Sequence, residues 1–155
     1  MRQLGGRLVV IAVALVVAGC QSLSETSGSP SALSLSALQA GSDDVAIAKR
    51  HFRKSNYGLA ERHYRRAVEA RPEDAEAWVG LGASYDQLRR FELADRAYQQ
   101  AVQLIGRSPE ILNNQGYSYM LRGEYEKARA KLLEAQTLDP DNPYIETNLA
   151  QLGPH

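Results

Sequence analysis

Cysteine, aromatic residues and net charge are what this chain of 155 residues has little of. Its one cysteine, Cys20, has no second thiol to pair with, so the fold must be held by packing without a disulfide. Aromatic residues make up 7% of the chain, which together with abundant alanine suits an all-α domain. The 18 basic and 18 acidic residues balance, so charge gives no argument for binding nucleic acid.

Patterns of catalytic and metal-binding residues are also absent. His51 and His63 are separated by twelve positions on different predicted helices and His155 lies at the tail, so their spacing predicts no metal site. The pair Gly80 and Gly82 lacks the third glycine of a dinucleotide fingerprint, and no serine has a recognisable histidine and acid partner. We therefore predict a non-enzyme with no cofactor, no metal and no small-molecule substrate.

Residues 1–19 have the pattern of a cleaved targeting segment. Two arginines precede an unbroken apolar run from Leu8 to Ala18, which is too short to form a stable transmembrane helix. The next residues, Val17-Ala18-Gly19-Cys20, resemble a bacterial lipobox. This resemblance implies that Cys20 becomes the new N-terminus and carries the lipid. The alternative is an ordinary secretory signal with an incidental cysteine, and the mature protein would then be soluble.

Lipid on Cys20 would fix the protein to a membrane, because each buried methylene contributes roughly 0.8 kcal/mol and two acyl chains already anchor stably. Gln21 stands where an inner-membrane retention signal would show Asp, so the resemblance implies the periplasmic face of the outer membrane. Residues 20–40 contain seven serines, and this composition predicts a flexible tether. A short helix around Leu33 and Leu38 is the alternative.

Three copies of a 34-residue period occupy residues 41–142 of a predicted domain that spans residues 41–152. Such a period indicates helix-turn-helix units that cannot bury their apolar faces alone and therefore stack into a solenoid. The unit resembles the tetratricopeptide repeat (TPR) and matches it best in the second copy. The residues that stand there at the family's spacing are Trp78, Leu81, Gly82, Tyr85, Ala94, Tyr98 and Ala101.

Helix-capping and helix-breaking residues fall at consistent places in this frame. A serine or asparagine before proline favours a helix start, and a residue before proline disfavours the α conformation and ends a helix. These signals predict an all-α solenoid of three helix pairs plus a closing helix from about Pro143 to Leu152. The predicted starts are Ser108-Pro109 and Asn142-Pro143, and the predicted ends are Arg71-Pro72 and Asp139-Pro140.

The first and third copies depart from the repeat pattern. Asp44 and His51 stand where the first copy should have Trp and Tyr, which predicts a modified end cap with a wetter face. Gln115 replaces the expected Leu in the third copy and is a candidate functional residue.

In the TPR family the first helix of each pair lines a concave groove that meets the ligand. Tyr117 and Tyr144 lie on first helices away from the core stripe, and tyrosine is a frequent interface anchor. The other six tyrosines fall at packing positions, namely Tyr57, Tyr64, Tyr85, Tyr98, Tyr119 and Tyr125. The predicted partner groove, suited to an amphipathic peptide or helix, consists of Val79, Ala83, Asp86, Asn113, Tyr117, Met120, Tyr144 and Thr147. For each of these residues an ordinary helix surface is the alternative.

Basic residues crowd the first copy, with only Glu61 among them. A solvated face is the usual explanation of such a run, and contact with anionic lipid head groups beside a lipid tether is the alternative. The basic residues are Lys49, Arg50, Arg53, Lys54, Arg62, Arg65 and Arg66.

A lipobox, a serine tether and a short TPR array together resemble the small TPR lipoproteins of pilus and secretion machines. The stretches Ile111–Tyr119 and Arg122–Ala128 are similar to the TadD family of Tad (tight adherence) pilus assembly lipoproteins. This resemblance implies a pilotin, an outer-membrane lipoprotein that binds secretin subunits and brings them to the membrane. One alternative is a TPR lipoprotein scaffold for another envelope process, such as type IV pilus or outer-membrane assembly. A cell-wall enzyme or its activator is another, although no acid-base residues support it.

Overall fold

The computed structural model describes residues 30–153, apart from most side chains before Gly41. Within this range the chain forms helices and turns without a strand, and none of these helices is both long and apolar enough to cross a membrane. The targeting segment and Cys20 lie outside the described residues. The helices are α1 (Pro30–Arg53), α2 (Tyr57–Ala70), α3 (Ala75–Gln87), α4 (Phe91–Ile105), α5 (Pro109–Arg122), α6 (Tyr125–Leu138) and α7 (Pro143–Leu152).

The helices pack as three hairpins and a closing helix, which confirms the predicted TPR solenoid. α1 packs on α2, α3 on α4 and α5 on α6, and α7 packs against both α5 and α6. The first helices of successive pairs, α1, α3, α5 and α7, also contact one another, whereas α2, α4 and α6 do not. The stack therefore curves, with the first helices on its inner face and the second helices on its outer face.

The predicted helix ends are confirmed. The Ser108 side chain accepts a hydrogen bond from the Ile111 N–H at 3.2 Å, and the Asn142 side chain accepts one from the Tyr144 N–H at 3.0 Å. Each bond satisfies a backbone amide that has no partner inside its helix. At the other ends, α2 and α6 stop directly before the Arg71-Pro72 and Asp139-Pro140 pairs.

The start of α1 differs from the prediction. Residues 20–40 were expected to form a flexible tether, but the backbone is helical from Pro30 onward, so this expectation is wrong for residues 30–40. Proline suits the first helical position, and the alanines and leucines that follow favour the helix. The second half of α1 is held by α2, so the helix can extend backward from a fixed segment. Residues 20–29 lie outside the described residues.

Small residues stand where the two helices of a repeat cross. Ala60, Ala94 and Ala128 are fully buried. A Cβ atom at Gly82 would lie 2.7 Å from the Tyr98 ring, and one at Gly116 would lie 2.6 Å from Leu132. Since these distances are below van der Waals contact, only glycine lets the large side chain of the second helix pack there.

The end cap of the first repeat is polar, as predicted. The Asp44 carboxylate binds His63 Nδ1 at 2.7 Å and Arg66 Nη2 at 2.6 Å, and the rings of His51 and His63 stack with centroids 5.5 Å apart. Burial raises the pKa of Asp44, but the hydrogen bonds from Arg66 and His63 outweigh burial and hold that pKa below its ordinary value. A polar network thus replaces the apolar packing of the second repeat.

Overpacking of a helix crossing on α6 tests the close packing of small residues within each repeat. Ala128→Leu should lower the free energy of unfolding by about 1–3 kcal/mol, because the buried site has no room for the larger side chain. Ala130→Leu on the exposed face of α6 is the matched control and should leave stability nearly unchanged. Thermal unfolding followed by circular dichroism measures both variants, and equal melting temperatures would mean that the repeat frame is misplaced.

Candidate functional site

Two clefts meet on the inner face of the solenoid. The first has a volume of about 170 Å³ and is lined by residues of α1, α2, α3 and α5, among them Val79 and Ala83. The second has a volume of about 510 Å³ and is lined by α5, α7 and the residue before α7, among them Asn113, Tyr144 and Thr147. Both clefts share Glu110 and Asn114, so they form one continuous surface, here called the inner groove.

The repeat period explains how the inner groove is assembled. Residues 34 positions apart occupy equivalent places on successive first helices, so each lining position forms a row along the groove. The three rows are Glu76, Glu110 and Tyr144; then Val79, Asn113 and Thr147; then Gly80, Asn114 and Asn148. The α3 end of the groove has small residues beside the Lys49–Glu76 pair, whereas the α5 and α7 end is amide-rich.

Side-chain amides give the α5–α7 part of the groove its hydrogen-bonding capacity. Asn148 Nδ2 donates to Asn113 Oδ1 at 2.8 Å, and Asn114 Nδ2 donates to the Glu110 carbonyl at 3.0 Å. Each of these bonds uses one end of an amide, and the opposite end has no hydrogen bond to another described residue. Such groups can both donate to and accept from the backbone of a bound peptide. Tyr144, with 75% of its surface exposed, adds an aromatic side chain at the edge.

The charges in the groove are few and unbalanced. Lys49 pairs with Glu76 across α1 and α3, whereas the Glu110 carboxylate has no ion-pair partner among the described residues. One uncompensated carboxylate favours a neutral or basic ligand segment over an acidic one. Within residues 30–153 no three histidine, cysteine, aspartate or glutamate side chains are grouped closely enough to hold a metal ion.

Five of the eight groove residues predicted from the sequence line the inner groove: Val79, Ala83, Asn113, Tyr144 and Thr147. Tyr117 is half-buried on α5 and lines neither cleft, so the structure does not bring it together with Tyr144. Gln115 is half-buried on the same helix and also lies outside the lining.

The assignments of Asp86 and Met120 to the groove are wrong. Asp86 is 1% exposed, and Met120 packs against the cluster of Ala128, Leu132 and Leu152. Both follow the crossing glycines by four residues, and positions four apart share one helical face. They therefore face the second helices and not the groove.

The packing assignment of Tyr125 is also wrong, since 61% of its surface is exposed. At the equivalent place one repeat earlier, Phe91 is covered by the guanidinium groups of Arg89 and Arg122, each 5.0 Å from the ring. In the described part of the chain, no arginine or lysine lies over the Tyr125 ring.

Sequence reasoning missed five lining residues for which the repeat period offered a signal. Glu76 and Glu110 share a row with Tyr144, while Asn114 and Asn148 lie one position after the row of Asn113 and Thr147. Extending the rows from the predicted residues to neighbouring positions would have found these four. Lys49 belongs to the row of Ala83 and could have been found in the same way.

Comparison with known proteins agrees with this architecture. Two matches to a family described as tetratricopeptide repeat cover residues 45–104 and 109–142, more than half of the chain. The chain belongs to the tetratricopeptide repeat family. A human TPR domain, the second of RPAP3 in complex with an HSP70 peptide, shares the fold with a TM-score of 0.65 at 19% identity, over 79% of this chain and 99% of that one. TPR proteins are generally non-catalytic scaffolds that bind other proteins.

Two proteins of Pseudomonas aeruginosa are similar in sequence to this TPR protein. The cytochrome c-type biogenesis protein CycH is 35% identical over 119 residues, which are 75% of this chain and 29% of CycH. The type IV pilus assembly protein PilF is 29% identical over 107 residues, which are 68% of this chain and 42% of PilF. A solved PilF structure has a TM-score of 0.65 and 27% identity, covering 76% of this chain and 54% of that one. The chain thus spans 29% of CycH and 42% of PilF, less than half the length of either curated relative.

A buried polar network joins the second and third TPR units behind the groove. The Asp86 carboxylate accepts hydrogen bonds from Ser118 Oγ at 2.6 Å and from Tyr98 Oη at 2.8 Å. Arg122 Nη2 donates to Ser118 Oγ at 2.8 Å, and the same guanidinium binds both oxygens of Asp95. Burial raises the pKa of Asp86, and the two hydroxyl donors only partly offset that rise.

The raised pKa of Asp86 predicts a pH effect on the stability of the TPR domain. Just above the ordinary value of 3.8, the folded state keeps a proton that the unfolded chain has released, so the free energy of unfolding falls as pH rises through this window. Asp86→Asn removes the titration, so the stability of the wild type relative to this variant should decline across the window.

Urea unfolding at a series of pH values measures this difference. Asp141→Asn, which changes an exposed residue in the turn before α7, is the matched control and should follow the wild-type pH profile. Parallel profiles for wild type and Asp86→Asn would contradict the assignment of a raised pKa to this carboxyl.

Proposed function

We propose that this protein is a lipid-anchored, non-catalytic adaptor for assembly of a Tad or type IV-like pilus, and that it acts as a pilotin. Its inner groove binds a segment of the secretin subunit, while lipid on Cys20 keeps the complex at the periplasmic face of the outer membrane. The observation that carries this proposal is an open groove with amide and aromatic lining on a TPR domain similar in sequence and fold to PilF.

The groove chemistry suits a peptide segment better than a small molecule. A TPR array presents a long concave surface, and the rows of the inner groove repeat along it from α3 to α7. The amides of Asn113, Asn114 and Asn148 can pair with the backbone of the segment, and Tyr144 can contact its apolar side chains. The unpaired Glu110 favours a segment without net negative charge.

Anchoring and capture act together in this mechanism. A tethered adaptor holds its groove within a short distance of the membrane, so a bound secretin subunit is concentrated where the channel assembles. The mechanism requires only reversible binding. The lipid holds the protein at the membrane, and the groove selects the partner segment.

The match to CycH supports a second candidate function. CycH is named for cytochrome c biogenesis and is 35% identical to this chain over 119 residues. The same groove could therefore serve a scaffold in an envelope process other than pilus assembly. The two functions differ in the captured partner, and direct binding measurements separate them.

Truncation of the exposed groove tyrosine tests the proposed binding surface. Tyr144→Ala should weaken binding of a purified secretin by about 2 kcal/mol, roughly thirtyfold, as expected for an aromatic anchor inside an interface. Isothermal titration calorimetry measures the affinity, and circular dichroism verifies that the variant is folded.

Tyr125→Ala is the matched control for that experiment, since it removes another exposed tyrosine from a helix on the outer face. It should bind secretin like the wild type. Equal affinities for wild type and Tyr144→Ala would contradict secretin binding in the inner groove. Absence of secretin binding by the wild type would favour the second function.

The anchoring part of the proposal is tested at Cys20. Mass spectrometry of the mature protein should find acyl groups on this residue. Cys20→Ala should leave an unprocessed or misprocessed protein that no longer fractionates with the outer membrane, because the attachment atom is gone. Recovery of an unmodified cysteine, or a mature N-terminus at another residue, would contradict lipid anchoring.

A further inference from the structure

Another cleft, with a volume of about 750 Å³, lies away from the inner groove. It is formed by the α1–α2 turn, the first half of α2 and the α3–α4 turn, and is here called the outer cleft. It shares no lining residue with the inner groove. The lining consists of Ser55, Asn56, Tyr57, Gly58, Leu59, Glu61, Arg62, Arg65, Leu88 and Arg90.

The outer cleft carries an excess of positive charge. Three arginines line it against one glutamate, a formal balance of +2. Glu61 is 7% exposed and forms an ion pair with Arg65, whose guanidinium lies 3.6 Å away, so its charge is already neutralised. Arg62 and Arg90 are exposed, and neither has a carboxylate partner among the described residues. Two positive charges in the cleft are therefore left for a ligand.

The outer cleft also presents apolar surface. Leu59 is 40% exposed although it lies in the first half of α2, and Leu88 and Tyr57 are half-buried beside the same cavity. A bare phosphate or sulfate makes no apolar contacts, whereas a peptide segment can make both ionic and apolar contacts.

The concave shape separates a peptide from a membrane as the occupant. A lipid surface is flat on this scale and contacts exposed residues outside the cleft, such as Arg53 and Lys54. Arg62 and Arg90 instead face a cavity that a narrow chain can enter. Within the basic run of the first repeat, Arg62 and Arg65 line the outer cleft, whereas Lys49 pairs with Glu76 in the inner groove and Arg66 pairs with Asp44.

We infer that the outer cleft binds an acidic segment of a second protein partner. Carboxylates of the segment pair with Arg62 and Arg90, and an apolar side chain packs on Leu59 and Leu88. Because the inner groove has an unpaired Glu110 and the outer cleft has unpaired arginines, the two sites select ligands of opposite charge. The protein can therefore hold two different segments at once, whichever partner occupies the inner groove.

Gly58 offers a clean way to test the outer cleft. A Cβ atom at this position would have no heavy atom within 4 Å, so substitution there has open space. Gly58→Glu places a carboxylate in the first turn of α2, where the helix dipole favours it, and replaces a glycine that weakens the helix. This variant should be at least as stable as the wild type while repelling an acidic ligand.

The probe is a fluorescein-labelled peptide of alternating aspartate and leucine, titrated with the full chain in detergent and followed by fluorescence anisotropy. A lysine-and-leucine peptide is the charge-reversed probe. We expect saturable binding of the acidic peptide only, weakened about tenfold by Gly58→Glu and by Arg62→Gln combined with Arg90→Gln. Gly58→Gln should retain binding, because it fills the same space without the charge.

Arg96→Gln is the matched arginine control. Arg96 stands one repeat after Arg62 at the equivalent position, is also exposed and does not line the outer cleft. Its substitution should leave the affinity unchanged. If Arg96→Gln and Arg62→Gln with Arg90→Gln weaken binding alike, the peptide is responding to overall charge and the inference is wrong.

Two further measurements identify other occupants. Binding to vesicles that contain phosphatidylglycerol, lost in Gly58→Glu without any acidic-peptide binding, would assign the outer cleft to lipid. Concentration-dependent self-association in analytical ultracentrifugation, lost in the same variant, would assign it to a second copy of the chain. Either outcome, or equal binding of both peptides, would overturn the inference.

Discussion

The close approach of two helices within each repeat is the constraint on which the rest of the structure depends. At Gly82 and Gly116 the inner helix has no side chain, so Tyr98 and Leu132 of the outer helix can lie against its backbone. The buried alanines on the outer helices, such as Ala94 and Ala128, meet the same requirement from the other side. Helices packed at this distance have little freedom to slide, since protein interiors are dense and tolerate few voids.

Because packing within each repeat is fixed, residues that recur with the sequence period line one continuous surface, the inner groove. Each inner helix presents the same positions to the concave side, so Glu76, Glu110 and Tyr144 line up although they are far apart in the chain. The Asp86 carboxylate and the hydroxyls of Tyr98 and Ser118 connect the second and third repeats behind this surface. A polar joint of this kind fixes the geometry between repeats through directed hydrogen bonds, where apolar contacts alone would be less specific.

The two faces of the solenoid differ in charge and chemistry, and this difference suits an adaptor. The inner groove is amide-rich with an unpaired carboxylate, whereas the outer cleft is lined by arginines and leucines. The chain is a TPR protein similar in sequence to PilF and CycH, and TPR domains bind protein partners. The two proposed sites would allow one small domain to connect two proteins.

The sequence by itself determined the helices, their pairing and the small residues at the crossings. These features are local or periodic, because proline, asparagine and serine set helix ends and a repeat of fixed length sets which faces must be buried. Five groove residues followed from the same period. The buried side of Asp86 and Met120 also follows from the sequence, since each lies four residues after a crossing glycine. Only the tertiary structure decided that Tyr117 lies outside the lining and that Arg62 and Arg90 come from different repeats into one cleft. The meeting of Arg62 and Arg90 depends on how neighbouring repeats rotate against each other, and packing across the whole stack sets that rotation.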